Sequence, residues 1–292
     1  MHTINESELI LNPDGSIYHL NVKPENLATN IILVGDQDRV EKVTQYFDTI
    51  DFRTQKREFK TQTGTYKGKR ISVVSTGIGT DNIDIVLNEL DALVNIDFQT
   101  RQVKNHLTTL NIIRVGTSGS LQDDIPVDAL LMSSFAIGTD AMLHSYLSEK
   151  VTEIDLENQF MSHTNWAQQS GRPYAVAADE KLIHQFDSVE IYKGITITSG
   201  GFYGAQGREL RLKPSQRLFD KKINGLLYKG MKMTNMEMET AGIYGLAKLL
   251  NHRALSLNAI VANRPNGTFS TNPQQTVNRL IEYTLEKLSD ME

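Results

Sequence analysis

The chain has 292 residues, 39% of them apolar, with a formal net charge of -5; this balance suits a globular protein and argues against a disordered chain or a basic nucleic-acid binder. It contains no cysteine, which removes disulfides, thiolate nucleophiles and cysteine-ligated metals and suits a reducing cytoplasm. No apolar run is long enough to span a bilayer, and the opening Met1-His2-Thr3-Ile4-Asn5-Glu6 lacks the basic-then-apolar pattern of a secretory signal.

Residues 1–29 are mixed and polar, broken by Pro13, Gly15 and Pro24, and read as an irregular arm. His19, within Tyr18-His19-Leu20, is on these residues alone either a packed side chain or a functional one. Asn30-Ile31-Ile32-Leu33-Val34 is a short apolar run that stops at Gly35. Asp36-Gln37-Asp38-Arg39 follows, then Val40, Val43 and Phe47 at helical spacing. The order is therefore strand, turn, helix, with a polar loop at the strand end where α/β sheets gather ligands. Arg39 in the first helical turn opposes the helix dipole; it is either solvated or set beside a bound anion.

Phe52 to Tyr66 predicts one or two antiparallel strands, Tyr66-Lys67-Gly68-Lys69-Arg70 a hairpin turn, and Ile71-Ser72-Val73-Val74-Ser75 a central strand. Thr76-Gly77-Ile78-Gly79 then opens a helix striped by Ile83, Val86, Leu87, Leu90 and Leu93, with Asp81 or Asn82 as its cap. The Gly-x-Gly lacks the third glycine of a dinucleotide fingerprint.

The mostly apolar run from Leu110 to Val115 predicts a buried strand entering a small-residue loop, Gly116-Thr117-Ser118-Gly119. Arg114 interrupts that run. A buried guanidinium needs an anionic partner. Hydroxyls and close-approaching amides beside it suit a phosphate-like oxyanion; the protein's own carboxylate is the other reading. Val127 to Met132 predicts another buried strand, His144 to Gly171 carries few signals, and Glu180 to Phe186 predicts a helix.

Gly194 to Ser199 predicts a strand that enters Gly200-Gly201-Phe202-Tyr203-Gly204-Ala205-Gln206-Gly207-Arg208. An amide, a guanidinium and aromatic faces could read a heterocyclic base, or form a plain surface flap. Met231 to Met236 predicts a strand, followed by Glu237-Met238-Glu239-Thr240 and a helix carrying Ile243, Leu246, Ala247 and Leu250. Two carboxylates at that junction suit sugar hydroxyls, or simply the helix dipole. Leu255 to Ala262 is a last buried strand, ending in Asn263-Arg264-Pro265, and a terminal helix runs from about Gln274 to Leu288. Alternating strands and helices, with polar clusters at strand ends, predict an α/β layered domain with one composite site.

Taken in order, Gly35-Asp36-Gln37-Asp38-Arg39-Val40-Glu41-Lys42, Arg57-Glu58-Phe59, Ser75-Thr76-Gly77-Ile78-Gly79, Arg114-Val115-Gly116-Thr117-Ser118-Gly119, Phe202 to Arg208, and Met236-Glu237-Met238-Glu239-Thr240 carry a resemblance. The chain resembles the nucleoside phosphorylases of the trimeric and hexameric α/β class, their uridine phosphorylases most closely. The resemblance spans nearly the whole chain. It implies one three-layer α/β/α domain over residues 1–292 with a central mixed β-sheet. It also implies reversible phosphorolysis of uridine to uracil and ribose 1-phosphate, with phosphate as co-substrate and no cofactor or metal.

By the same resemblance, Gly35, Arg39, Arg114 and Thr117 form the phosphate cradle. Arg57 and His19 are donated across a subunit interface, to phosphate and to the ribose 5′-hydroxyl. Ser118, Glu237, Met238 and Glu239 bind ribose; Phe202, Gln206 and Arg208 bind the base; and Arg208, Gln206 and Arg114 carry the catalysis. The active unit is then a homo-oligomer, at least a dimer, acting on small molecules in the cytoplasm without nucleic acid or membrane partners.

Three departures stand out: Tyr203-Gly204-Ala205-Gln206 where bacterial uridine phosphorylases usually have proline then glycine, Asn82 where bacterial relatives have a cation-site serine, and a 144–171 segment unlike theirs. Purine-specific members place an aspartate near the end of the last long strand, where this chain has Asn263. Other readings are a purine or broad-specificity phosphorylase acting on thymidine, deoxyuridine or inosine, a nucleosidase using water, and a nucleoside-binding protein without turnover.

Overall fold

The structure is a computed structural model that describes residues 3–215, 222–223 and 225–291, so the first two residues of the arm lie outside it. In chain order the elements are β1 (Asn30–Val34), α1 (Gln37–Thr44), β2 (Thr49–Lys56), β3 (Phe59–Tyr66), β4 (Lys69–Ser75), α2 (Thr80–Asn95), β5 (Ile96–Asp97), β6 (Gln102–Val103), β7 (Asn111–Ser120) and β8 (Leu130–Gly138). There follow α3 (Ile154–Thr164), β9 (Tyr174–Ala177), α4 (Glu180–Gln185), β10 (Ile191–Thr198), β11 (Leu227–Tyr228), β12 (Met231–Glu237), α5 (Thr240–Leu249), β13 (Arg253–Asn263), β14 (Thr268–Phe269) and α6 (Pro273–Ser289).

β1 shows why the middle layer is a sheet. Successive strand residues point to opposite faces, yet Ile31, Ile32, Leu33 and Val34 are all buried, so both faces are covered. Helices supply the cover: α1 packs with α6, and α2 with α5. The main sheet runs β11-β12-β10-β8-β13-β7-β1-β4-β3-β2, with β9 beside β8 and β14 beside β13. β1 is parallel to β4 and β7, whereas β13 is antiparallel to β8. The fold is the expected three-layer α/β/α arrangement on a mixed sheet.

One further pairing shapes the site. β12 also meets β7, Asn235 opposite Ser120 and Met236 opposite Gly119. This closes β7, β13, β8, β10 and β12 into a ring of strands.

Several local expectations change. Gly116 to Gly119 are not a loop: β7 continues to Ser120 because β13 stays beside it as far as Asn263 and β12 takes its other edge. The strand expected from Val127 begins at Leu130. Asp128 takes a left-handed φ of 68°, and its carboxylate accepts from the Ser270 and Thr276 hydroxyls, each at 2.6 Å. The cap of α2 is neither Asp81 nor Asn82 but Gly79, at φ 95°, where a side chain would be strained. The unassigned 144–171 stretch contains α3, whose Leu156 and Phe160 join an apolar cluster with Ile197 and Met236. The arm is irregular but anchored, with Leu9, Ile17, Leu20 and Val22 in the main core. Among the described residues, no helix is long and apolar enough to cross a membrane.

Candidate active site

The carboxyl ends of β1 and β4, the second half of β7, the β12–α5 junction and the loop after β10 surround a cavity of about 870 Å³. Gly35, Arg39, Arg114, Thr117 and Ser118 line one part of it. Glu237, Met238 and Glu239 line another, and Phe202, Gln206 and Arg208 a third. Residues far apart in sequence thus meet where strands end, as α/β topology favours.

Arg114 is the buried centre. Its Nη2 lies 2.5 Å from Glu239 Oε2 and 3.2 Å from Glu237 Oε2, and its Nη1 donates to Asn258 Oδ1 at 3.1 Å. Of the two readings of this arginine, the protein's own carboxylates hold it here. Burial works against its charge, but Glu237 and Glu239 more than offset that and hold its pKa above the ordinary value. Gly116 makes the position sterically accessible. A Cβ there would stand 1.8 Å from Arg114 Nη1 and 2.5 Å from its Cζ. Gly116→Ala is therefore expected to displace the guanidinium and leave two carboxylates without their cation. Breaking a buried pair in this way costs about 3–5 kcal/mol, to be read as a lowered denaturation midpoint.

Arg39, in the first turn of α1, reaches across to donate to Val115 O at 3.2 Å. Burial, and then the nearby Arg114 charge, hold its pKa below the ordinary value. A guanidinium whose charge is opposed by burial and by a second guanidinium in the same cavity forms a site that an anion would relieve.

At the β12–α5 junction the two carboxylates divide their work. Glu237 is spent on the protein: Oε1 accepts from the Thr198 hydroxyl at 2.6 Å, and Oε2 from the Glu239 and Thr240 amides at 2.9 and 3.0 Å. Burial pushes its pKa up against the pull of Arg114, and Glu239 adds to the rise. Glu239 makes fewer contacts; Oε1 accepts from Gly79 N at 2.8 Å, while Oε2 meets Arg114.

In the loop after β10, the Arg208 guanidinium stacks 3.9 Å from the centre of the Phe202 ring and donates to Phe202 O at 2.8 Å and to Gln206 Oε1. Arg264, which sequence reasoning gave no role, holds this loop: Nη2 donates to Gln206 O at 2.6 Å.

His19 and Arg57 lie outside the cavity. The His19 ring is 2.6 Å from Glu89, which also accepts from the His19 and Leu20 amides. Arg57 is exposed at the β2–β3 turn, at φ 54°. Asn263 does not face the cavity either, since its Nδ2 donates to Gln122 O and Ile125 O at 2.9 and 2.8 Å. Glu58, Ile78 and Phe269 do line it. The first two sit inside motifs quoted for their neighbours; Phe269, in a short hairpin, carried no signal. Among the described residues, no group of three or more His, Asp or Glu side chains is placed to hold a metal ion.

A family model described as the phosphorylase superfamily matches residues 29–288. The chain belongs to that superfamily. This superfamily member is 30% identical over 257 residues to a uridine phosphorylase of Thermococcus kodakarensis, covering 88% of this chain and 80% of that one. It is 29% identical over 272 residues to a DeoD-type purine nucleoside phosphorylase of Listeria monocytogenes, covering 92% and 97%. Its fold matches a Trypanosoma brucei nucleoside phosphorylase, whose structure is described as showing uridine phosphorylase activity, with a TM-score of 0.86 at 30% identity over 97% of this chain and 100% of that one. The protein is accordingly an enzyme of the pentosyltransferase class, of nucleoside phosphorylase type. Its relatives divide between uridine and purine substrates.

Proposed function

We propose that the protein catalyses the reversible phosphorolysis of uridine to uracil and ribose 1-phosphate. The observation that carries this reading is the meeting of Arg39 and Arg114, Glu239, and the Gln206–Arg208 pair in one cavity: two cations for an anion, a carboxylate for hydroxyls, and an amide with a guanidinium for a base edge.

On this reading Gly35, Arg39, Arg114 and Thr117 hold phosphate, and a second copy of the chain adds its Arg57. Charge-assisted hydrogen bonds of this kind contribute roughly 1.5–3 kcal/mol each. Ser118, Met238 and Glu239 hold the ribose, and the second copy's His19 meets the 5′-hydroxyl. Glu237 stands behind them, keeping Arg114 and the start of α5 in place. The contact between Arg114 and Glu239 is exchanged on binding: phosphate takes the guanidinium and the sugar hydroxyls take the carboxylate. A phosphate oxygen then forms the bond to C1′ as the C1′–N1 bond breaks, and the electron pair leaves with uracil. The sugar carries oxocarbenium-like charge in between. Arg208 and Gln206 stabilise the charge gathering on the uracil oxygens, with Phe202 beside the ring. A cysteine-free chain suits the cytoplasm as the setting.

Uridine is favoured over purines because Asn263 is an amide turned onto main-chain carbonyls, where a purine-specific relative would carry an aspartate. The test is cleavage of uridine, thymidine, deoxyuridine and inosine with and without phosphate, with the sugar product identified. Uracil and ribose 1-phosphate should form from uridine in the presence of phosphate alone, and inosine should be cleaved more slowly. Release of free ribose without phosphate would make the protein a nucleosidase. Preference for inosine would make it a purine enzyme, and binding without turnover a carrier.

A further inference from the structure

We infer that Asn258 is a positioning residue for Arg114: it sets the plane of that guanidinium toward the phosphate without drawing on its charge. This rests on the phosphorolysis reading above.

Asn258 lies on β13 directly opposite Gly116 of β7. Arg114 is two residues before Gly116 and so shares its face of the strand. The guanidinium folds forward into the space that a Cβ at Gly116 would fill, and there Nη1 meets Asn258 Oδ1. Gly116 opens the berth and Asn258 closes it. Both Asn258 and Arg114 are buried. An arginine only donates, so the amide must present its oxygen. Its Nδ2 then points to the Ser133 and Ser256 hydroxyls, at 3.5 and 3.4 Å.

From Ser133 the hydrogen bonds continue around the strand ring. Asn235 Oδ1 can only accept, so the Thr196 hydroxyl donates to it at 2.7 Å. Thr196 must then receive its own hydrogen bond from Ser133. Asn235 Nδ2 donates to Ser118 Oγ at 2.9 Å. Each of β13, β8, β10 and β12 supplies one member, and the path leaves β7 at Arg114 and returns to it at Ser118. Every bond in it donates in the same sense. Ser118 Oγ is thereby an acceptor toward the protein, and its own hydrogen is left for the cavity it lines. A buried polar circuit with all members satisfied fixes orientations that an apolar core would leave open.

The neutrality of Asn258 is the second half of the inference. Arg114 already faces Glu237 and Glu239. An amide takes one more N–H without adding negative charge; a third carboxylate would compete with phosphate for the same cation. Two near-isosteric variants separate these roles. N258D keeps an acceptor but adds charge, and N258L keeps the branched shape but accepts nothing.

The experiment measures KM for phosphate and for uridine separately, together with calorimetric titration of inorganic phosphate and the thermal midpoint. N258D is expected to raise the phosphate KM by roughly tenfold or more, because an added carboxylate opposes the anion at a buried cation. N258L should raise it severalfold. In both, the uridine KM should move far less. Ser133→Ala, a single-hydroxyl deletion one link further on, should shift the phosphate KM in the same direction and covers the case in which a variant at 258 does not fold. Phosphate KM values within twofold of wild type in the folded variants would overturn the inference. So would a parallel rise of both KM values, which a merely structural role produces. In either case wild-type turnover with phosphate leaves the phosphorolysis reading standing. A wild-type protein that neither binds nor uses phosphate removes that reading and this inference together.

Discussion

Arg208→Ala is expected to lower turnover on uridine by about 10²–10³-fold, the usual cost of losing one donor to a developing oxyanion, while phosphate affinity stays near wild type. The reason is spatial. Arg208 is tied to its own loop, stacked on Phe202 and bonded to Gln206. Arg39 and Arg114 are tied instead to Val115 O, Asn258 and the β12–α5 carboxylates. Removing the first leaves the other two cations in place. In the proposed reaction uracil gains charge as the glycosidic bond breaks, so the loss falls on kcat more than on KM. Steady-state kinetics on uridine, with a phosphate titration of the same variant, check both halves. A variant that keeps wild-type turnover would remove Arg208 from the base site. One that also loses phosphate binding would show that the loop and the cradle are a single unit.

Glu239→Gln is expected to act with opposite sign on the two substrates. The carboxylate sits 2.5 Å from Arg114 Nη2, so in the proposed reaction phosphate displaces it. Glutamine keeps the shape and an oxygen for the Gly79 amide but gives up the charge that competes for the guanidinium. A charge-assisted bond of roughly 1.5–3 kcal/mol no longer opposes the anion, and the free enzyme should bind phosphate about tenfold more tightly, since a factor of ten needs only about 1.4 kcal/mol. The sugar loses its anionic acceptor, and kcat/KM for uridine should fall by roughly 10²-fold or more, by the same order of charge-assisted bonding. Linkage adds a further consequence: in the wild type each substrate should raise affinity for the other, and in E239Q that coupling should shrink. Calorimetric phosphate titrations with and without a non-reacting nucleoside analogue measure it. Weaker phosphate binding by E239Q would show that the Arg114–Glu239 contact does not compete with the anion.

Much of this site was legible in the chain before its geometry was known. Arg39, Arg114, Thr117, Ser118, Met238 and Glu239 stand at or just past the ends of apolar runs, Gln206 and Arg208 lie further along the glycine-rich loop that follows one, and all reach one cavity. Residues at strand ends converge because parallel strands bring their carboxyl ends to one edge of a sheet. What was misread follows from a local signal with a non-local answer. Gly116 to Gly119 has the composition of a loop and forms strand because β12 and β13 supply partners on both sides. Glu237 and Glu239 look alike in sequence and both line the cavity; only the folded chain shows that Glu237 also meets Thr198, the Thr240 amide and Arg114.

The amino-acid order by itself determined the alternation of strand and helix, the burial of β1 and the α2 stripe, and the presence of cations, carboxylates and an amide at strand ends. Those follow from side-chain chemistry and short-range periodicity, which neighbours in the chain settle among themselves. Only the tertiary structure decided which group each of them faces. Asn258 stands 144 positions from Arg114, and Asn235 and Thr196 read locally as polar interruptions of apolar strands. Their hydrogen-bond partners exist because five strands close into a ring, and the direction of a buried hydrogen bond is a property of that closure.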